Sequence, residues 1–273
     1  MQPLSLQGRY TLVTGASSGL GREIAREIAR RHGGHLVLVA RRRERLEELA
    51  KELEGHGAKA VCIAADLSKP EDVERVIGEA TKGREVHAAI LNAGVTYFGH
   101  HLEMPWADQQ AILATNVISV VKLANAFLEH QLQKAPGGGL MVVSSMAGTM
   151  PTPYQAFYSG TKAFLNTWGV ALAEELRGKD VSVTVFAPGG IATEMGEKSG
   201  TSRKYKKGDV GMMDADVCAR AALAAFVQRR RFVVPGALNR LNDFLMRFVP
   251  RGTQASMVAG LFKSAVLPAG QAK

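Results

Sequence analysis

The chain has 273 residues, of which 46% are hydrophobic and 22% charged, and these proportions exclude a disordered, collagen-like or coiled-coil protein. Lys and Arg outnumber Asp and Glu by 34 to 25, and the formal charge of +9 favours a partner that carries phosphate or many negative charges. No uninterrupted apolar run approaches the about 18 residues of a membrane-spanning helix. Residues 1–8 lack the features of a secretory signal, so we expect a cytoplasmic protein.

Short apolar runs alternate with segments of helical periodicity along the whole chain. The runs predict strands at residues 10–14, 36–40, 58–64, 88–92, 140–144, 181–186 and 232–234. The segments between them predict helices at residues 19–31, 43–54, 71–80, 106–133, 154–176 and 214–229. Because the strands show little polar alternation, they are typical of a sheet that helices cover on both faces. The sequence therefore predicts an α/β fold, a doubly wound Rossmann-type parallel seven-stranded sheet with ligands at the carboxyl ends of its strands.

The first predicted strand runs directly into a glycine-rich turn and then into a helix. In such a turn Gly15 permits the tight bend, Gly19 lets the backbone approach a pyrophosphate, and Gly21 allows close packing of the helix. The helix N-terminus supplies free N–H groups to an anion. A purely structural turn is the alternative. We predict a site for the phosphates of a dinucleotide, formed by Gly15, Ser17, Ser18, Gly19, Leu20 and Gly21.

The octapeptide Thr14-Gly15-Ala16-Ser17-Ser18-Gly19-Leu20-Gly21 resembles the Thr-Gly-x-x-x-Gly-x-Gly motif of the short-chain dehydrogenase/reductase superfamily. The resemblance extends over residues 8–236, and it implies a single NADP-binding and catalytic domain at residues 1–236 with an extension at residues 237–273. It also implies an oxidoreductase that transfers a hydride between a nicotinamide cofactor and a carbonyl or secondary alcohol. The alternative is a non-catalytic regulator that binds NADP(H) in the same fold.

Three arginines follow the second predicted strand, where an NAD-binding protein usually carries Asp or Glu. A guanidinium pairs with a ribose 2′-phosphate, whereas a carboxylate would repel it. We therefore predict NADP(H) as the cofactor, with Arg41 as the first candidate ligand and Arg42 as the second. Arg43, and alternatively Arg42 as well, would be solvated residues at the start of the next helix.

Two further segments match the family's cofactor contacts by position only. Asp66 and Leu67 follow the third strand, and the resemblance implies that they contact adenine, although Asp66 could instead cap the helix that starts near Lys69. Asn92, Ala93 and Gly94 follow the fourth strand and would shape the pocket beside the ribose, with a simple turn as the alternative for Asn92.

A phenol and an ammonium group lie four residues apart at Tyr158 and Lys162, and so on one face of a helix. A neighbouring cation favours phenolate, which would bring the pKa of Tyr158 down toward neutrality and make it a general acid or base. Ser145 lies thirteen residues before Tyr158 at the end of the fifth strand, and the resemblance implies that it hydrogen-bonds the substrate oxygen. Ser144 would only terminate the strand.

Asn116, within Thr115-Asn116-Val117, resembles the family's helical Asn, which holds a water that connects the lysine to solvent; a solvent-facing Asn is the alternative. The resemblance therefore implies a catalytic tetrad of Asn116, Ser145, Tyr158 and Lys162. After the sixth strand, the segment from Pro188 through Gly189 and Ile191 to Thr193 resembles the segment that orients the nicotinamide.

Residues 192–213 predict a lid over the substrate, because the segment is long and has no clear periodicity. The residues expected to border the pocket suggest an apolar, lipid- or steroid-like carbonyl substrate, and they are Tyr97, Phe98, His100, His101, Met146, Met150, Gln155 and Met195. The adjacent histidines give no metal-ligand spacing, so we expect no metal. The basic residues are dispersed apart from 41–45 and 203–207, so we expect no nucleic acid partner.

The extension repeats apolar residues at helical spacing, with Leu241 and Phe248 as examples and Arg240 and Arg247 between them. We expect it to pack over its own substrate cleft or across a homodimer interface, with an anionic membrane surface as the less favoured alternative. By resemblance, the long helices at residues 106–133 and 154–176 would form a homodimer or homotetramer.

Overall fold

Seven parallel strands form the central sheet of the structure, a computed structural model that describes residues 1–191 and 212–263. Two further strands form a separate small sheet. In chain order the described strands of both sheets are β1 (Tyr10–Thr14), β2 (His35–Ala40), β3 (Ala60–Ala64), β4 (Val86–Leu91), β5 (Gly138–Val143), β6 (Val181–Phe186), β7 (Gly190–Ile191), β8 (Met212–Met213) and β9 (Phe232–Val233). The central sheet has the order β3-β2-β1-β4-β5-β6-β9, and β7 pairs with β8 beside it. The order reverses between β1 and β4, and ligands bind at such a switch point in open α/β sheets.

Helices cover both faces of this sheet. They are α1 (Gly19–His32), α2 (Arg43–Glu54), α3 (Pro70–Thr81), α4 (Trp106–Leu113), α5 (Ser119–Lys134), α6 (Ala156–Glu175), α7 (Ala215–Val227), α8 (Ala237–Met246) and α9 (Arg251–Phe262). Ile24 of α1, Leu49 of α2 and Leu223 of α7 belong to one core cluster. Val76 of α3 and Phe127 of α5 belong to the other. The predicted doubly wound Rossmann-type fold is confirmed.

The strands are apolar because both of their faces are covered. In β2, Leu36 and Leu38 point into one core, and Val37 and Val39 point into the other. All four side chains are fully buried. This alternation explains why the sequence shows continuous apolar runs at the predicted strands. Truncating one such leucine to alanine costs about 2–5 kcal/mol of stability in cores of this kind.

A π-helical turn at Ala114–Ile118 joins α4 to α5, so the two form one long helix. By its length and by the mean hydropathy of 1.7 in its most apolar 18 residues, Trp106–Lys134 could cross a membrane, although the sequence shows no uninterrupted apolar run there. Half of its apolar window is buried, and Leu123 and Phe127 pack under the sheet. We therefore interpret it as a core helix.

Two predicted boundaries were wrong. The helix predicted at residues 154–176 begins at Ala156, because Tyr154 has a φ of 65° and Gln155 also lies outside the helical region. The predicted lid at residues 192–213 ends in β8, which pairs with β7. The rest of that segment, residues 192–211, lies outside the described residues.

Candidate active site

The glycine-rich turn lies at the carboxyl end of β1, next to the end of β4. Gly15 has a φ of 70°, which glycine adopts without strain. A Cβ added at Gly21 would lie 2.5 Å from the Gly15 carbonyl oxygen and 2.6 Å from Asn92 Nδ2. Because no side chain fits between these groups, α1 begins directly against the strand ends. The predicted roles of Gly15 and Gly21 match this geometry.

The start of α1 fits an anionic group. Ser18 is the N-cap of α1, and its side chain makes no capping hydrogen bond within the described chain. An α-helix leaves its first N–H groups without intrahelical partners, and their partial positive charge favours phosphate. Gly19, with a φ of 54°, keeps the backbone bare at this point. The chemistry of the turn therefore fits the pyrophosphate of a dinucleotide.

Arg42 lies against the same turn. Its Nη2 donates to Ser17 Oγ at 3.2 Å and to Ser18 Oγ at 3.0 Å, so its guanidinium faces the glycine-rich segment and is not simply solvated. Arg41 is exposed at the end of β2. Arg43 is exposed and lies 3.6 Å from Glu47, as a surface residue of α2 would. Arg42 thus borders the turn, and Arg41 directly follows β2, where we predict the 2′-phosphate.

Asn92 ties the ends of β1 and β4 together. Thr14 Oγ1 accepts hydrogen bonds from the N–H groups of Asn92 and Ala93, and Asn92 Nδ2 donates to the Thr14 carbonyl, all at 3.0 Å. Asn92 is therefore more than a turn residue. A Cβ at Gly94 would lie 3.4 Å from Asn116 Oδ1 and 3.6 Å from Lys162 Nζ, so the next segment runs past both side chains.

Asp66 stabilises the loop after β3. Its Oδ1 accepts from Ser68 N at 3.1 Å and from Ser68 Oγ at 2.8 Å, while its own N–H donates to Asp72. The alternative that Asp66 caps α3 is wrong, because Lys69 occupies the N-cap position. Leu67 is buried beside it.

Asn116 is fully buried within the π turn. Its Oδ1 accepts from Val95 N and its Nδ2 donates to Val95 O, both at 2.9 Å. Nδ2 also lies 3.2 Å from Thr161 Oγ1 in α6. The alternative of a solvent-facing Asn is therefore wrong, and the side chain joins the π turn to the helix that carries Tyr158 and Lys162.

Ser145, Tyr158 and Lys162 come together at the carboxyl end of β5. The Ser145 side chain lies beside the Tyr158 phenol, and its Oγ accepts from Ala147 N at 3.1 Å. Lys162 Nζ lies 5.7 Å from the centroid of the Tyr158 ring and donates to the Val143 carbonyl at 3.0 Å. The structure therefore brings together three of the four residues of the predicted tetrad.

Burial sets the proton affinities of this pair. Burial raises the pKa of Tyr158 above its usual value, and the Ser145 hydrogen bond opposes that rise. The expected net lowering of this pKa is not found, because desolvation of the phenol has the largest effect. Burial lowers the pKa of Lys162 to about 8. At neutral pH the phenol is therefore protonated and the lysine is charged.

Ser144 does more than end a strand. Its N–H donates to Phe186 O at 2.7 Å, and its Oγ donates to the Lys162 carbonyl at 3.0 Å, which fixes α6 on the sheet edge. The loop after β6 joins the site because Met146 N donates to the Pro188 carbonyl at 2.9 Å. Gly189 faces Asn239 of α8, and Ile191 lies in β7. Thr193 lies outside the described residues, as does Met195.

A small cavity of about 10 Å³ lies beside Tyr158, and the residues around it are mostly aromatic and apolar. The residues that line it are Tyr97, Gly99, His101, Met104, Tyr154, Gln155, Ala156, Phe157 and Tyr158. Sequence reasoning named Tyr97, His101 and Gln155 but missed Tyr154, Phe157 and Met104. Met146 and Met150 are not part of this wall in the described chain. Phe98 packs instead on Phe262 of α9, with the ring centroids 5.2 Å apart.

Metal ligands are not clustered in residues 1–191 and 212–263, where no group of three His, Cys, Asp or Glu side chains is placed to hold an ion.

The sequence model of short chain dehydrogenases matches residues 9–204 of this chain. A 17-beta-hydroxysteroid dehydrogenase type 3 of Rattus norvegicus is 32% identical over 209 residues, which are 76% of this chain and 67% of that protein. A very-long-chain 3-oxoacyl-CoA reductase of Neurospora crassa is 35% identical over 204 residues, which are 72% of this chain and 60% of the relative.

Solved structures give the same assignment. A short-chain dehydrogenase from Sphingobium yanoikuyae in complex with NADPH superimposes with a TM-score of 0.77 at 28% identity, covering 91% of this chain and 99% of that one. The chain therefore belongs to the short chain dehydrogenase family of oxidoreductases.

Proposed function

We propose that this protein is an NADP(H)-dependent carbonyl reductase in which Tyr158 is the general acid. The observation that carries the proposal is the convergence of Ser145, which follows β5, with Tyr158 and Lys162 of α6, where Lys162 Nζ lies 5.7 Å from the centroid of the Tyr158 ring. These groups lie at the carboxyl edge of the sheet, next to the turn that fits a dinucleotide. A surface tyrosine and lysine that shared a helix face by chance would not converge with a strand-end serine.

NADP(H) would be held by the glycine-rich turn, with Arg41 and Arg42 at its 2′-phosphate, and when bound it supplies the hydride that reduces a carbonyl carbon. Ser145 donates a hydrogen bond to the carbonyl oxygen and polarises it. Tyr158 transfers its proton to that oxygen, and its raised pKa keeps the proton available for reduction at neutral pH.

Lys162 stabilises the tyrosine anion that remains after proton transfer. Its pKa of about 8 leaves it charged at neutral pH, and its position over the ring places that charge near the phenolate. Asn116 hydrogen-bonds Thr161 of α6 and Val95 of the segment after β4. It therefore fixes the two segments that lie on either side of Lys162.

The substrate is proposed to be apolar and to carry rings or long alkyl chains. Four large side chains, Tyr97, Met104, Tyr154 and Phe157, line the cavity next to Tyr158. Such a wall favours apolar ligands, with the polar site groups fixing the carbonyl. The names of two relatives, a hydroxysteroid dehydrogenase and a very-long-chain 3-oxoacyl-CoA reductase, support this substrate class.

Tyr158→Phe tests the proposal, because it keeps the ring and removes the transferable proton. We expect NADPH oxidation with a panel of apolar ketones to fall by about 10²- to 10⁴-fold, while NADPH binding measured by fluorescence stays within a few-fold. The matched control is Tyr10→Phe, because Tyr10 is the first residue of β1 and lies at the opposite end of that strand from the site. This variant should leave turnover unchanged. If Tyr158→Phe retains activity close to that of Tyr10→Phe, the mechanism is wrong.

We also propose a homo-oligomer formed through the long helices. Trp106, Ile118 and Phe164 are large apolar residues exposed on α4, the π turn and α6. Phe164 stacks on Trp168 with the ring centroids 6.0 Å apart, which gives α6 a flat aromatic surface. Light scattering of Phe164→Glu should show a smaller particle than the parent chain, and an unchanged mass would contradict this interface.

A further inference from the structure

Helix α8 turns an apolar face away from the protein. Four side chains on one side of it, and Phe248 two residues beyond its end, are 53–74% exposed: Leu238, Leu241, Phe244, Leu245 and Phe248. At about 100° per residue the four helical side chains fall within an arc of about 120°. The rings of Phe244 and Phe248 contact each other edge to face, with centroids 5.3 Å apart. We call these five residues the α8 face.

The opposite side of α8 anchors the helix to its own domain. Asn239 Nδ2 donates to the Pro235 carbonyl at 3.1 Å. A Cβ added at Gly189 would lie 2.8 Å from Asn239 Nδ2, so the loop after β6 runs close to α8. Asp243 is buried, and the Met246 carbonyl accepts a hydrogen bond from Gln254 of α9. The α8 face therefore does not cover the chain's own cleft in the described structure, contrary to one of the placements expected from the sequence.

The charged residues of the extension are almost all positive. Residues 237–273 contain five basic residues and a single acid, Asp243. That carboxylate is buried and pairs with Arg247 at 2.7 Å. Arg240, Arg247 and Arg251 are exposed, and on the helical wheel Arg240 and Arg247 lie along one edge of the apolar arc.

This charge pattern favours an anionic lipid surface over a second copy of the chain. A two-fold interface brings the same patch onto itself, so the arginines would face each other with no free acid in this extension to pair with. A basic amphipathic helix with Leu and Phe on its apolar side is typical of helices that lie in the plane of a membrane interface. Lys and Arg are attracted to anionic headgroups, while the apolar side chains enter the acyl boundary.

We propose that the α8 face docks on anionic phospholipid bilayers. Docking would bring the active-site end of the sheet to the lipid surface, because α8 contacts Gly189 of the loop after β6 and Phe262 of α9 contacts Phe98 near the substrate cavity. If the proposed function is correct, an apolar ketone dissolved in the bilayer is the substrate that this placement serves. The docking itself does not depend on that substrate.

Co-sedimentation of the full chain with vesicles tests the proposal. We expect binding to vesicles of phosphatidylcholine mixed with phosphatidylglycerol, weaker binding to phosphatidylcholine alone, and release as salt is raised. The double variant Leu241→Ser/Phe244→Ser should lower partitioning into the anionic vesicles about 10-fold or more. Val217→Ser removes an exposed apolar side chain from α7, outside the α8 face, and should bind like the parent.

Three further measurements separate the possible outcomes. Circular dichroism and thermal unfolding check that the double variant is folded, as expected for exposed positions, and NADPH oxidation with a water-soluble ketone reports on catalysis without lipid. If the parent chain does not co-sediment with anionic vesicles, the docking proposal is wrong, whatever the activity of the chain. Equal binding by the parent and the double variant also overturns it, as does a double variant that changes particle mass without changing vesicle binding, since the α8 face would then be a protein interface.

Discussion

The side chain of Asn116 pairs with both backbone groups of Val95. Its Oδ1 accepts from Val95 N and its Nδ2 donates to Val95 O, each at 2.9 Å. This pairing coincides with the π turn at Ala114–Ile118, a feature that often occurs at functional sites. The extra residue in the turn directs the amide inward, toward the segment after β4 and toward Thr161 of α6.

We expect Asn116→Leu to reduce both stability and turnover. Leu has a similar size but leaves the Val95 N–H and carbonyl unpaired, at about 1–3 kcal/mol for each buried group. Loss of the link to α6 should displace Lys162 and lower kcat by about 10- to 100-fold. Urea unfolding and steady-state kinetics measure the two effects. Asn125→Leu, an exposed Asn in α5, is the control, and equal behaviour of the two variants would show that Asn116 has no positioning role.

The sequence predicted the sheet well because its strands are buried on both faces, so each continuous apolar run records a local requirement. It also predicted the Tyr158 and Lys162 pair, whose spacing along one helix is local. The π turn was not predicted, and the contact that accompanies it joins Asn116 to Val95, 21 residues away, which no local pattern reveals. The predicted direction of the Tyr158 pKa shift was wrong for a related reason. The burial that raises this pKa arises from the packing of the whole site and cannot be seen in the local sequence.

The surroundings of the site were predicted less completely. Sequence reasoning ranked Arg41 above Arg42, and only the folded chain shows Arg42 on the Ser17 and Ser18 hydroxyls. Tyr154 enters the cavity wall through a backbone φ of 65°, which its residue type does not suggest. The amphipathic pattern of α8 was visible in the sequence, but which of its sides faces the protein depends on contacts with Gly189 and Pro235.

Gly21→Ala should abolish cofactor binding and destabilise the fold. The new Cβ would lie 2.5 Å from the Gly15 carbonyl oxygen, so either α1 or the turn must move. We expect a loss of about 1–3 kcal/mol, the usual cost of overpacking a tight contact. Thermal unfolding with and without NADPH measures both effects.

Gly78→Ala is the matched control for Gly21→Ala. Gly78 is exposed in α3, and no described atom lies within 4 Å of a Cβ placed there. Alanine should stabilise this helix by about 0.5–1 kcal/mol and leave NADPH binding unchanged. If the two variants bind NADPH equally, the close approach at Gly21 is not required for the cofactor.

The two arginines beside the glycine-rich turn should set the choice of nucleotide. Arg41→Asp places a carboxylate at the end of β2, where it would repel a 2′-phosphate and accept from a ribose hydroxyl. We expect the ratio of kcat/KM for NADPH over NADH to fall by about 100-fold or more in Arg41→Asp, since a charge-assisted pair is exchanged for a repulsion.

Arg42→Ala should weaken NADPH binding by about 10-fold and leave NADH binding nearly unchanged. The control is Arg43→Ala, because Arg43 is exposed and lies near Glu47. Unaltered nucleotide preference in both Arg41→Asp and Arg42→Ala would place the 2′-phosphate elsewhere, or would show that this chain does not select NADPH.

Lys162 should make stability rise with pH in alkaline solution. Burial lowers its pKa to about 8 from the ordinary 10.5, so between these values the unfolded chain holds a proton that the folded chain has released. Stability increases with pH wherever the unfolded state binds more protons, and the cost of burying the charge is present in full below pH 8. The difference between the two pKa values corresponds to about 3 kcal/mol.

Urea unfolding without cofactor should show that the parent gains stability relative to Lys162→Met from pH 8 to pH 10. Lys134→Met, at an exposed position, should run parallel to the parent, and a parallel course for Lys162→Met as well would mean that Lys162 is not desolvated.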